Sequence, residues 1–469
     1  MEKSWVNSAE REGSDLPLRL TGPGTQQERL SRALREAIRD RRLAAGTTLP
    51  PYRSLAADLG LARSTVSNAY SELVAEGWLT ARQGSGTRVA ARPEPASPAA
   101  TRARPIPGVE PMKHDLRPGR TDPATFPRSA WLASARRAFA AAPRDAFGPG
   151  DPRGTIELRE AVASYVSRTR AVRASAENVV VCAGFGHGLR LLFGGVLRGP
   201  LAVEAYGLSQ HWSFLAEAGV ATLPMDIDDD GARVDDVAPS ARSMLLTPAH
   251  QFPTGGPLLP SRRTAAVEWA RSVGGVVIED DYDGEFRYDR RPIGALQAMD
   301  PEHVVYIGSV SKSLSPAVRV GWMVLPSRLV DAVLNVKGDW EAWTPVPEQL
   351  ILADMFDSGV YDRHVRRMRQ RYRQRQQLLV STLASKAPHI EYTGIAAGMH
   401  AVLRLPTGTE SSTVEAARRS GLGLYGLSQF RHPQATMPHR DGVLVGYAVA
   451  APHRFEPALD ALIDALPTP

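Results

Sequence analysis

Near the N-terminus the apolar positions first recur at helical spacing. Leu30, Leu34 and Ile38 are separated by charged residues, which predicts a one-faced amphipathic helix over "TQQERLSRALREAIRDRRL". The next stretch, "PYRSLAADLGLARSTVSNAYSELVAEGWL", predicts a short helix over Tyr52–Leu59, a tight turn at Gly60 and a second helix over Arg63–Glu76. "GWLTARQGSGTRVA" then reads as two short strands turning at residues 84–86. Two short helices joined at a glycine and followed by a strand pair form a winged helix-turn-helix, an α unit with a small β wing.

The pattern breaks at "ARPEPASPAATRARPIPGVEP", which is rich in proline and alanine and has no apolar period. Such a segment cannot bury enough surface to fold alone and reads as a semi-extended spacer. Beyond it the period changes again. "NVVVCAG", "GPLAVEAY", "SMLLTPAH", "GGVVIEDDY", "HVVYIGSVSKS" and "RVGWMVLP" are short continuous apolar runs, separated by helix-length stretches such as "SRRTAAVEWARSVG". Buried strands alternating with helices predict a mainly parallel sheet covered on both faces, an α/β unit whose ligands sit at the carboxyl ends of the strands. The expected division is 17–90 for the winged unit, 91–113 for the linker and 114–469 for the α/β unit.

Composition narrows the class. A chain of 469 residues with 43% apolar and 23% charged content suits a soluble protein of two or three domains. It has no apolar run long enough to span a bilayer, and its polar first residues do not resemble a secretory signal. A single cysteine, Cys182, excludes an internal disulfide and a cysteine-built metal site, and fits the cytoplasm. From Glu28 to Arg92 there are eleven arginines, no lysine and six acids, a net of +5. With the helix-turn-helix, that local field points to double-stranded DNA. The start of the second helix, where Ser64 and Thr65 lie, suits phosphate and base edges.

Four segments of the α/β unit carry candidate chemistry, each at a predicted strand end. "CAGFGHGLRLL" places a glycine-rich turn before a helix, where free N–H groups cradle a phosphate. "VVIEDDYDGEF" brings Asp280 and Tyr282, suited to a protonated ring nitrogen and a phenolic oxygen, with no histidine pair nearby in sequence to suggest a metal. "YIGSVSKSLSPAVRVGW" brings Ser309 and Arg319 for a phosphate and Lys312 for an aldehyde. "TPAHQFPTG" offers His250 and Gln251 as pocket lining. A phosphate, an aldehyde, a phenolate and a basic ring nitrogen occur together on pyridoxal 5′-phosphate.

The segment "LPPYRSLAADLGLARSTVSNAYSELVAEGWLTARQGSGTRV" resembles the winged helix-turn-helix of GntR-type bacterial regulators. From residue 114 onward the chain resembles fold-type I aminotransferases. Together the two halves resemble the MocR/GabR family over residues 17–465, carried also by "TPAHQFPTG", "EDDYDGEFRY", "GSVSKSLSPAVRVGW" and "YDRHVRRMRQRY". The resemblance implies DNA contacts from Arg53, Arg63, Ser64, Thr65, Gln83 and Gly84. It implies Lys312 as the lysine that forms the internal aldimine, Asp280 on the pyridine nitrogen and Tyr282 on the ring oxygen. It places the phosphate on Ser309, Arg319 and the backbone at Phe185 and Gly186, and implies a head-to-tail homodimer.

The chain departs from that pattern at several positions. Tyr52 stands where a small or polar residue usually precedes Arg53. Phe252 stands where aminotransferases carry an asparagine, and Leu208 where a ring-stacking aromatic is expected, leaving Tyr206 or Phe185 as candidates. Leu444 stands where an arginine would bind a substrate carboxylate, leaving Arg431 and His432 as anion candidates. The basic run from Arg366 to Arg375 is expected to be mostly solvent-facing, with a supplementary DNA contact as the other reading. These features favour a regulator that senses pyridoxal phosphate or an amino compound. The alternative is a working aminotransferase with an accessory DNA-binding domain.

Overall fold

In the computed structural model, residues 18, 20–82, 86–91, 112–288, 293–338, 344–394 and 397–469 are described. The chain separates into two compact units, Met1–Val109 and Glu110–Pro469. The linker expected over 91–113 lies outside the described residues except at its two ends, as do Gln83 and Gly84 of the wing.

In the first unit, α1 (Gln26–Arg39) begins at a reciprocal cap: the Thr25 side chain accepts from Glu28 N–H and the Glu28 carboxylate accepts from Thr25 N–H. Its buried face is Leu30, Ala33, Leu34 and Ala37, one residue off the expected stripe because Ile38 is only half-buried. Helix α2 (Tyr52–Leu59) ends at Gly60, whose φ of 65° supplies the left-handed turn into α3 (Arg63–Ala75). Strands β1 (Leu79–Arg82) and β2 (Gly86–Val89) pair antiparallel as the wing. Leu30, Leu34, Leu55, Val66, Leu73, Leu79 and Val89 close one core. Arg35 braces it from outside, pairing with Glu72 and Glu76 of α3.

The second unit is built on a seven-stranded sheet. Its strands are β3 (Val179–Cys182), β4 (Leu201–Glu204), β5 (Thr222–Met225), β6 (Ser243–Leu246), β7 (Val276–Asp281), β8 (Val304–Ser309) and β9 (Gly321–Val324), in the order β3-β9-β8-β7-β6-β4-β5. Only β9 runs antiparallel to its neighbours, so the sheet is mainly parallel as expected. The helices are α4 (Arg128–Ala141), α5 (Ile156–Arg170), α6 (Phe185–Leu191), α7 (Ser209–Glu217), α8 (Pro260–Val273), α9 (Ser327–Lys337), α10 (Val346–Asp357) and α11 (Val360–Lys386).

The apolar runs are continuous because each strand feeds two cores. Val179, Val181, Trp322 and Val324 pack with α5 and α10 on one face. Val180, Cys182, Ile307 and Met323 pack with α6 and α9 on the other. After α11 the chain forms β10 (Glu391–Thr393), β11 (His400–Arg404), β12 (Tyr425–Gly426) and β13 (Gly442–Gly446), an antiparallel sheet ordered β10-β11-β13-β12. Helices α12 (Glu410–Arg419) and α13 (Pro452–Ala465) accompany it. Among the described residues no helix is long and apolar enough to cross a membrane.

Candidate cofactor site and nucleic-acid interface

The parallel strands bring their carboxyl ends to one edge. There Lys312, three residues past β8, is half-buried, and its Nζ donates to the Gly119 carbonyl at 2.6 Å. Partial burial lowers its affinity for a proton, while the charges of Asp280 and Asp283 work the other way. The loop that carries it is anchored one residue on. Ser313 Oγ accepts from Tyr361 at 2.6 Å, and its carbonyl lies 2.7 Å from His364 Nε2.

The acidic run around β7 sorts its members by partner. Glu279 accepts from the N–H groups of Leu296 and Gln297. Asp281 is buried against Arg170, which donates to both its oxygens at 2.7 and 3.1 Å, and takes a third hydrogen bond from Tyr306 at 2.6 Å. Asp283 lies 2.8 Å from His250 Nδ1. Asp280 alone has no hydrogen-bond partner among the described residues, and burial with the neighbouring Asp281 raises its pKa well above the usual range. A carboxyl in that state is suited to a cationic ring nitrogen.

The Tyr282 hydroxyl lies 2.9 Å from His250 Nδ1, and burial beside Asp283 raises its pKa. Phe252, at the position where an asparagine was expected, meets the Tyr282 ring edge-on at 5.8 Å. His250, two residues earlier, makes the polar contact to that phenol instead.

At the turn expected to hold a phosphate, Gly184 has φ 103°, a conformation that favours glycine, and caps α6 where the N–H groups of Phe185 and Gly186 begin the helix. A Cβ on Gly321 would stand 2.8 Å from the Gly308 carbonyl and 2.9 Å from Gly184 Cα, so β9 and this turn approach at glycine distance. Ser309 ends β8, and its Oγ accepts from Ser311 N–H. Arg319 is exposed, has left-handed φ 54°, and makes no hydrogen bond or ion pair among the described residues. An uncommon backbone conformation under an unpaired guanidinium fits an anion such as phosphate. Taken together, the donors and the unpartnered Asp280 fit pyridoxal phosphate.

Three candidates sit differently from expectation. Tyr206 is 1% exposed in the core cluster of Phe252 and Phe430, and burial raises its pKa against the opposing influence of the Arg440 backbone and Arg431. It is therefore core rather than a ring-stacking surface. Arg431 donates to the carbonyls of Ala435 and Met437, tying down its own loop instead of reaching for an effector. His432 is likewise occupied, 2.9 Å from Thr222. Leu444 is fully buried in the same apolar cluster as Phe252.

Other residues reach the site unannounced. His211 pairs with the Phe185 ring at 5.0 Å; burial and then the Lys312 charge lower its pKa to about 4. His400 comes from β11 to stand 5.3 Å from His250, ring to ring, supplying the histidine pair absent from the local sequence. Its pKa is also lowered to about 4, chiefly by burial. Glu204, at the end of β4, accepts from Thr247 at 2.6 Å, and burial raises its pKa to about 7. Arg287 donates to the Ala249 carbonyl and so lies against the His250 loop.

In the first unit, Arg53, Arg63 and Ser64 are exposed and Thr65 is half-buried. No side chain caps the N-terminus of α3, so its positive end is open to an anion. Arg53 lies over the Tyr52 ring at 5.9 Å, which gives the unexpected tyrosine a role in placing that guanidinium.

The family models divide the chain in the same way. Bacterial regulatory proteins, gntR family, match residues 26–89, and aminotransferase class I and II matches residues 120–428. The probable rhizopine catabolism regulatory protein MocR of Rhizobium meliloti is 30% identical over 453 residues, covering 92% of this chain and 91% of that protein. The HTH-type pyridoxine biosynthesis transcriptional regulator PdxR of Corynebacterium glutamicum is 30% identical, covering 89% of this chain and 92% of its own. Among solved structures, the multiple substrate aminotransferase of Thermococcus profundus superposes with a TM-score of 0.69 at 21% identity, covering 76% of this chain and 92% of that one. That likeness establishes the fold alone; the aminotransferase class I and II family matched over residues 120–428 is in general dependent on pyridoxal phosphate. The chain belongs to the MocR-type transcriptional regulators, a GntR helix-turn-helix joined to an aminotransferase class I and II domain.

Proposed function

We propose that this regulator holds pyridoxal 5′-phosphate in its large unit and adjusts operator binding to that cofactor or to an amino compound that reacts with it. The observation that carries the reading is Asp280: of the acids named at the end of β7, it alone lacks a hydrogen-bond partner among the described residues. Lys312 would hold the aldehyde carbon, Asp280 the ring nitrogen and Tyr282 the ring oxygen. Ser309, Arg319 and the N–H groups of Phe185 and Gly186 would hold the phosphate. Phe185 and His211 offer ring surfaces in place of the missing aromatic at Leu208. When bound, the cofactor supplies an aldehyde for amines and a ring that accepts electrons.

The DNA contacts assigned to the small unit are Arg53, Arg63, Ser64 and Thr65, with Gln83 and Gly84 of the wing. The name of the Corynebacterium relative, a pyridoxine biosynthesis regulator, supports the cofactor itself as effector. Exposed Leu132, Phe139 and Phe147, the last two with rings 5.7 Å apart, support a homodimer, with the head-to-tail arrangement the family resemblance implies.

A working aminotransferase is the second reading, favoured by a lysine whose lowered pKa suits proton transfer. The apolar Leu444 and the engaged Arg431 weigh against binding of an α-carboxylate at those positions. The test is binding of the protein to DNA from its own promoter region, titrated with pyridoxal phosphate. A shift in affinity that Lys312→Ala abolishes supports sensing. Multiple turnovers of an amino donor with a keto acid, and no shift in DNA affinity, support the enzyme.

A further inference from the structure

Helix α11 divides its arginines into two sets. Arg369 donates to the Glu285 carbonyl, Arg371 pairs with Asp122, and buried Arg375 donates to the carbonyls of Tyr447 and Ala450. These three hold the large unit together, so the expectation that most of the run faces solvent needs correction for them. The other set, Arg363, Arg366, Arg367 and Arg373, is exposed.

At 100° per residue these four fall with Gln370, Gln374 and Gln377 in an arc of about 120°, and the stripe is roughly 21 Å long. No acidic residue occurs in that arc. The only acid on the helix, Asp362, is engaged by Arg168. Arg366 and Arg373 make no hydrogen bond or ion pair among the described residues; Arg363 and Arg367 make only long ones, to the Ser358 carbonyl at 3.3 Å and to His364 Nδ1 at 3.4 Å. Soluble surfaces usually intersperse both signs of charge, and a one-sign stripe of arginine and glutamine is the chemistry that grips a phosphate backbone.

We propose that this face of α11 is a second DNA surface, binding duplex phosphates without reading sequence. Its occupant is double-stranded DNA because the chain already carries a GntR reader, which concentrates duplex around it, and because the stripe has only positive charge to offer. The inner face of the same helix holds Ser313, the residue after Lys312, through Tyr361 and His364. The basic stripe is thus about one helix diameter from the cofactor loop.

The test uses the full chain and a random-sequence duplex of about 60 base pairs, with affinity measured from about 0.05 to 0.3 M salt. Arg363→Gln/Arg366→Gln/Arg373→Gln is compared with the corresponding triple lysine variant. The triple glutamine variant should flatten the plot of log affinity against log salt by about 2–3, roughly one unit for each phosphate it no longer neutralises. Lysine should restore most of it, and the loss should add to that of Arg63→Ala. An unchanged slope would mean a merely solvated face. A changed sedimentation coefficient in the glutamine variant, without DNA, would mean that the face pairs copies of the chain; either result overturns the proposal.

Discussion

Lys312 Nζ and the Gly119 carbonyl oxygen are joined by a 2.6 Å hydrogen bond, so the lysine proposed to hold the aldehyde is tethered to the backbone of a turn 193 residues away in sequence. A carbonyl satisfies one ammonium proton without neutralising the charge, and the half-buried setting lowers the pKa of the amine. The amine is thereby placed without a committed ion pair. The nearby carboxylates are arranged to keep it so: Asp281 and Asp283 are occupied by Arg170 and His250, and only Asp280 is left over.

Adjacent Asp280 and Asp281 should therefore respond in opposite ways to the same substitution. Asp281→Asn breaks a buried pair with Arg170 and should cost about 3–5 kcal/mol. Asp280→Asn removes a carboxyl that is costly to ionise, and should leave thermal stability within about 1 kcal/mol of wild type or raise it. It should also abolish tight binding of pyridoxal phosphate. Thermal melts beside a cofactor titration check both; equal destabilisation by the two variants would refute the assignment.

Glu204 gives a pH signature. Its pKa rises from an ordinary 4.5 to about 7, so the folded state binds the extra proton between those values. Its contribution to stability falls as pH rises from about 4.5 through 7 and is then constant. In Glu204→Gln that loss disappears, so the melting temperature of the variant minus that of wild type should increase from pH 5 to pH 8. A flat difference would show that Glu204 is ionised throughout.

His211 should matter as a ring and not as a charge. With a pKa near 4 it is neutral at working pH, and it packs on Phe185. His211→Phe should keep cofactor affinity within a few-fold, whereas His211→Ala should weaken it by about tenfold, the equivalent of roughly 1.4 kcal/mol of stacking. Equilibrium titration followed by cofactor absorbance measures both.

The two units should be separable by mutation. Arg63→Ala, at the uncapped start of α3, should weaken promoter binding by about tenfold or more and leave pyridoxal phosphate affinity unchanged. Loss of both together would contradict independent modules.

What the sequence made legible followed the range of the forces involved. Local periodicity located α1, α2, α3 and the sheet strands because each is set by neighbours a few residues apart. The Gly60 turn was readable because a left-handed residue there calls for glycine. The strand order was not readable, since β3 lies beside β9 by long-range pairing. Lys312, Asp280 and Tyr282 stood out because charged and hydrogen-bonding groups at apolar strand ends need a reason to be there. Gly119 contributes a carbonyl, which any residue carries, and His400 arrives from a strand 150 residues after His250. Tyr206 looked available only because sequence gives composition and not facing. The same limit hid Arg375, whose charge is satisfied by two backbone carbonyls in the interior.

The most direct test is the visible absorption spectrum of the purified protein mixed with pyridoxal phosphate, recorded beside Lys312→Ala. A band from cofactor joined to the lysine should appear in wild type, survive gel filtration, and be missing in the variant. Identical spectra, or cofactor that washes out of wild type, would contradict a Lys312-centred site and leave a DNA-binding protein whose large unit has another use.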